Sequence, residues 1–96
     1  MHFFYIIYSE QADKYYSGET ADIPTRIHQH NTGFFKSSST KIAQDWKVSL
    51  SVKCADRSQA RRLESFVKKQ KSRNFIESLI NAPEKVKDIM RKLKIN

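Results

Sequence analysis

HFFYIIYSEQADKYYSGET, residues 2–20, sets four tyrosines in aromatic and β-branched runs on either side of one short polar break. Residues 2–8 have strand composition, residues 14–17 continue it beyond SEQAD, and together they predict an antiparallel β-hairpin. Gly18 stands where the second strand is expected to end, and glycine tolerates φ > 0 or a close backbone approach. Side chains alternate between faces along a strand. Tyr5 and Tyr16 can therefore share one face if the register allows it, and Tyr8 and Tyr15 fall on the other.

Outward from the hairpin, the chain reads as a small α+β fold. Asp22 and Pro24 open a short helix with Ile23 and Ile27 inward, and Asn31, Thr32 and Gly33 close it. Arg26 and His30, four apart, emerge on one face of that helix. Residues 34–45, rich in Ser and Thr, read as a loop, with Phe34 and Phe35 expected to tuck into the core. WKVSLSVKC predicts a half-buried third strand with Trp46, Val48, Leu50, Val52 and Cys54 on one face. Asp56 and Gln59 resemble a capping box for a helix whose inward stripe is Ala60, Leu63, Phe66 and Val67. Ser72 caps a further helix, and Pro83 starts a last basic one. The expected architecture is an antiparallel three-stranded sheet flanked by helices, β-β-α-β-α-α, with an extra C-terminal helix. One domain is expected over 1–96, its core at about 2–80 and the basic helix at 83–95.

Composition narrows the function. At 96 residues with 39% hydrophobic content the chain suits one modest core. No apolar run approaches the roughly 20 residues of a membrane span, and the N-terminus lacks the form of a secretory signal, so a cytoplasmic address is expected. The lone Cys54 makes no internal disulfide and reads as a buried strand residue. Net charge is +8, and its distribution is lopsided. Residues 1–45 hold four basic and five acidic side chains, whereas residues 46–96 hold fourteen basic and five acidic ones. RR at 61 and KKQKSR at 68–73 are the densest block, a field that suits a polyanion such as nucleic acid or, more blandly, a solvated helical face. Within it Glu64 is a lone acid among Arg61, Arg62, Lys68 and Lys69. A carboxylate kept ionised by such neighbours suits a hard divalent metal, and equally an ordinary surface ion pair.

FFY at 3–5 followed by YSG at 16–18 resembles the paired signature of the GIY-YIG nuclease superfamily, with tyrosines eleven positions apart. Arg26 matches the family's helix arginine, His30 the tyrosine or histidine one turn later, and Glu64 the single metal-binding glutamate of the next long helix. The resemblance covers roughly residues 2–80 and is similar to small stand-alone bacterial members, with HNTG after the first helix and KSR near the end. It implies a divalent-metal-dependent endonuclease hydrolysing DNA phosphodiester bonds, weakly sequence-specific or structure-selective, in DNA repair or recombination. Tyr5, Tyr16, Arg26, His30 and Glu64 would be its catalytic residues and Glu64 its Mg²⁺ (or Mn²⁺) ligand, with no small-molecule cofactor. In that reading Tyr5 orients or deprotonates the attacking water, Arg26 neutralises the phosphoryl oxygens, and His30 relays a proton. Arg61, Arg62, Lys68, Lys69, Lys71 and Arg73 would grip the DNA backbone. Two positions depart from the pattern: Ser17 replaces an apolar residue, and Glu19 follows the glycine. They favour the alternative, a catalytically weak or inactive nucleic-acid-binding module. Asn74 and Asn31 are candidates for an assisting asparagine.

Overall fold

The computed structural model describes residues 1–34 and 39–95. Its order is β1 (His2–Ser9), β2 (Lys14–Thr20), α1 (Ile23–Asn31), a short 3-10 helix (Ser39–Ile42), β3 (Lys47–Cys54), α2 (Arg57–Gln70), α3 (Arg73–Asn81) and α4 (Lys85–Lys92). The three strands form one antiparallel sheet in the order β2-β1-β3, an α+β architecture as the sequence predicts. β1, the most apolar segment, takes the centre. Phe4 to Ile7 are at most 1% exposed because both faces of that strand are covered.

Strand alternation divides the core in two. Phe4 and Ile6 face Leu50, Cys54, Ala60, Leu63, Val67, Leu79, Val86 and Ile89, so α2, α3 and α4 cover that side. Tyr5 and Ile7 face Ala43 and Trp46, with Tyr16, Ile23 and Ile27 packed against them, so α1 and the segment before β3 cover the other. Caps hold the helices where the sequence places them. The Asp22 carboxylate accepts from Thr25 N–H, Asp56 from Gln59 N–H, and the Ser72 hydroxyl from Phe75 N–H. At the end of α1, Gly33 adopts φ +74° and Phe34 N–H donates to the Gln29 carbonyl, a Schellman closure.

Three local expectations are corrected. β2 runs on to Thr20, so Gly18 lies within the strand rather than at its end. The five apolar residues from Trp46 to Cys54 do not share a face. Ile6 pairs with Leu50 but Ile7 with Val48, which leaves Ser49 as the extra residue of a bulge and reverses the alternation before it. Trp46 consequently packs beside Tyr5, and Val48 is 43% exposed. Phe34 does not enter the core either: the Schellman turn directs it outward and it is 63% exposed. Phe35 lies outside the described residues.

Candidate active site

The register explains how one buried tyrosine reaches the sheet edge. Tyr5 on the central strand stands opposite Gly18 on the edge strand, and Tyr16 stands opposite Ile7 on the same face. The Tyr5 ring lies directly over Gly18: a Cβ built there would sit 2.5 Å from the phenol oxygen and 2.7 Å from Cζ. Gly18 has no positive φ, so here glycine serves close approach and not a turn. Tyr8 and Tyr15 pair directly on the opposite face, their ring centroids 4.7 Å apart. Parity thus separates the two pairs of tyrosines as the sequence suggests.

At the edge the Tyr5 phenol meets α1. Its oxygen and His30 Nε2 share a hydrogen bond of 2.9 Å, and the charge of Arg26, one helical turn earlier, acts on the same phenol. The other imidazole nitrogen, Nδ1, is 2.7 Å from the hydroxyl of the buried Thr40. Thr40 is held in turn by its carbonyl, which accepts from Trp46 Nε1 at 2.8 Å. The Tyr16 ring meets the His30 ring edge-on at 5.2 Å. Burial first, and then the neighbouring Tyr16, push the Tyr5 phenol well above its ordinary value, although Arg26 pulls the other way. Tyr5 is therefore a neutral phenol. Burial, and next the Arg26 charge, lower His30 from 6.5 to about 4, so it is a neutral imidazole at pH 7.

That shift has a consequence for stability. The folded-state pKa of His30 lies below the unfolded value, so the unfolded chain binds more protons between about pH 6.5 and 4. The contribution is complete above that window and is lost as pH falls through it. At about 1.36 kcal/mol per pH unit it amounts to something on the order of 3 kcal/mol. Urea denaturation is expected to show wild type losing stability more steeply than His30→Gln between pH 7 and pH 5. Parallel curves would mean that His30 is not buried in neutral form.

Glu64 approaches from α2. Its charge acts on the Tyr5 phenol, and its carboxylate is bound by Lys68 Nζ at 2.6 Å. The same Lys68 ammonium lies 5.3 Å from the centre of the Tyr16 ring. No group of three or more His, Cys, Asp or Glu among the described residues could cage a metal. A single half-buried carboxylate beside a phenol nevertheless fits a Mg²⁺-type ion, which keeps several waters and completes its shell with substrate phosphate oxygens.

The remaining basic candidates divide. Arg61 and Lys68 share the face of α2 that carries Glu64, by spacings of three and four. Arg57, passed over in the sequence, belongs to the same row; its place four residues before Arg61 and seven before Glu64 is the signal that would have found it. Lys69 and Arg62 occupy the adjoining face, where Arg62 donates to the Leu93 carbonyl. Lys71 is the exposed left-handed cap of α2. Arg73 stands apart: Asp13 at 2.7 Å and Glu77 at 3.5 Å engage it, and it lies over the Tyr8 and Tyr15 rings. Asn31 braces the site from behind, accepting from Trp46 N–H at 2.7 Å and donating to the Trp46 carbonyl at 3.1 Å. Asn74 is exposed at the start of α3.

The two departures from the resemblance lie on the other face of β2. Ser17 pairs with Ile6 and is buried there. Glu19 pairs with Phe4, and its carboxylate is met by His2 at 2.7 Å and by Arg57 at 3.5 Å. It reaches the rim of a cleft shared with Arg26, with its charge matched by Arg57.

An edge-strand glycine crossed by a buried phenol, an arginine and a histidine on the next helix, and a glutamate on the long helix beyond thus come together at one edge of the sheet. The family model for the GIY-YIG catalytic domain matches residues 1–77, and the chain belongs to that family of endonucleases. No curated protein and no solved structure gives a significant match. No helix among the described residues is long and apolar enough to cross a membrane.

Proposed function

We propose that this protein is a divalent-metal-dependent DNA endonuclease whose site is built from Tyr5, Tyr16, Arg26, His30 and Glu64. The observation that carries the reading is the convergence on the Tyr5 phenol of His30 and Arg26 from α1 and of the Glu64 charge from α2. The reaction is hydrolysis: water attacks phosphorus, the bond to the 3′ oxygen breaks, and that oxygen takes up a proton. The products are 5′-phosphate and 3′-hydroxyl ends.

Each side chain has a task that its chemistry allows. Tyr5, held neutral, orients the attacking water by hydrogen bonding and does not act as a phenolate. His30, neutral and bonded to that phenol, is available to receive its proton as the phenol takes one from the attacking water, and the DNA phosphate offsets the charge this creates. Arg26 neutralises charge developing on the phosphoryl oxygens. Tyr16 packs against His30 and forms the wall over which the phosphate lies. Glu64 would hold the divalent ion, which supplies Lewis-acid polarisation of the phosphate and charge neutralisation at the leaving oxygen.

DNA would be held by the row Arg57, Arg61 and Lys68, with Lys69 and Lys71 beside it, through phosphates and not bases. Such contacts support weak sequence specificity or selection by DNA shape. Binding should then weaken steeply with salt. Arg61→Ala is expected to lower the slope of log K against log[salt] by about 1 without altering the cleavage pattern. A fluorescence-anisotropy salt titration reads this, and an unchanged slope would remove Arg61 from the DNA surface.

The binding-module alternative draws its support from Ser17 and Glu19. The structure turns both away from the face that carries Tyr5 and gives Glu19 its own cationic partner. The experiment that tests the nuclease reading is incubation of supercoiled plasmid and of labelled branched, flapped and single-stranded DNA with Mg²⁺, Mn²⁺ or chelator. Metal-dependent product from any of them supports it; binding of all without cleavage moves the alternative ahead.

A further inference from the structure

Thr40 has no place in the roles above, yet it is only 1% exposed and its hydroxyl lies 2.7 Å from His30 Nδ1. Its backbone is fixed from the same side, since Trp46 Nε1 donates to its carbonyl and Asn31 clamps the Trp46 backbone. The hydroxyl is thus held against the imidazole by a chain of contacts that begins on α1 itself. Such bracing suits a residue that controls how the ring presents its nitrogens.

The directions of the hydrogen bonds follow from what each group can do. The Tyr5 and Thr40 hydroxyls can each donate or accept, and neutral His30 donates at one ring nitrogen and accepts at the other. A phenol is more acidic than an alcohol or a neutral imidazole N–H, so Tyr5 is the strongest donor of the three. The favoured direction therefore has Tyr5 donating to the Nε2 lone pair, with Nδ1 carrying the imidazole hydrogen and donating to Thr40 Oγ1. Neutral His30 has a single ring hydrogen, so occupancy of Nδ1 decides the state of Nε2.

We propose that Thr40 is a positioning residue: its hydroxyl holds His30 in the Nδ1–H tautomer, which leaves Nε2 as the acceptor for the Tyr5 hydroxyl. Nothing in the loop sequence marks it, because Thr40 follows three serines that look equivalent to it. Its catalytic consequence rests on the nuclease reading; the tautomer does not.

Imidazole ¹⁵N NMR on the full chain at pH 7 tests it. Wild type and Thr40→Ser are expected to show His30 protonated at Nδ1. Thr40→Val, which has nearly the same shape but no acceptor, is expected to shift the hydrogen to Nε2. In parallel, Thr40→Val should lower kcat for DNA cleavage by about 10²-fold at unchanged KM, and Thr40→Ser should restore it. An Nε2–H signal in wild type, or an Nδ1–H signal retained in a folded Thr40→Val, overturns the proposal. If Thr40→Val fails to fold, the wild-type tautomer decides. If wild type cuts no DNA, the nuclease reading fails while the NMR result still decides the role of Thr40.

Discussion

Glu64→Gln is expected to lower DNA cleavage by roughly 10³-fold or more while changing folding stability by less than about 0.5 kcal/mol. The two effects separate because the carboxylate has little structural work. It forms an ion pair with Lys68, four residues on along the same helix and 47% exposed, and such pairs contribute only a few tenths of a kcal/mol. Its chemical work would be to hold a cation beside the Tyr5 phenol. Gln keeps the size and the hydrogen-bonding capacity but not the charge, so DNA binding through Arg57 and Arg61 should survive or strengthen slightly. Single-turnover cleavage, urea denaturation and anisotropy on the same preparation would read all three. Equal loss of stability and activity would instead assign Glu64 to the fold.

Gly18→Ala is expected to fail on both counts, losing about 1–3 kcal/mol of stability and about 10²-fold in cleavage. In an unhindered strand this substitution would help, since alanine loses less backbone freedom on folding. The clash reverses the sign. The added methyl would lie 2.5 Å from the Tyr5 oxygen, and that ring is 1% exposed and tied to His30 at 2.9 Å, so it has nowhere to move. Displacing the phenol also breaks its hydrogen bond to His30, on which the proposed site depends. Ser17→Ala, one residue earlier on the opposite face, is the control and should leave cleavage within about twofold. Full activity in Gly18→Ala would show that the Tyr5 ring need not cross the edge strand.

What could be read from the chain was whatever depends on local period. The hairpin, the parity that separates Tyr5 and Tyr16 from Tyr8 and Tyr15, the pairing of Arg26 with His30 and the capping residues follow from spacings of two, three and four. What escaped depends on events between elements. A bulge at Ser49 reverses the alternation of β3, so Trp46 sits with Tyr5 instead of with Leu50. The closure of α1 turns Phe34 out into solvent. The Arg73 charge is met by Asp13, sixty residues away, which no helical period reveals. The face of β2 that Glu19 occupies and its contact with Arg57 likewise depend on the register and on α2. Of the site, the residue types were legible. The neutral states of Tyr5 and His30 were not, because they come from burial that only the packed structure provides.

The measurement that bears most directly on the central claim is single-turnover cleavage of a labelled DNA by excess protein in Mg²⁺, with Tyr5→Phe beside wild type and the chemistry of the ends determined. Wild type should give 5′-phosphate and 3′-hydroxyl ends only when metal is present, and Tyr5→Phe should bind the same DNA and leave it intact. Bound but uncut DNA with wild type, or equal cutting by Tyr5→Phe, would contradict a hydrolytic site organised around the Tyr5 phenol.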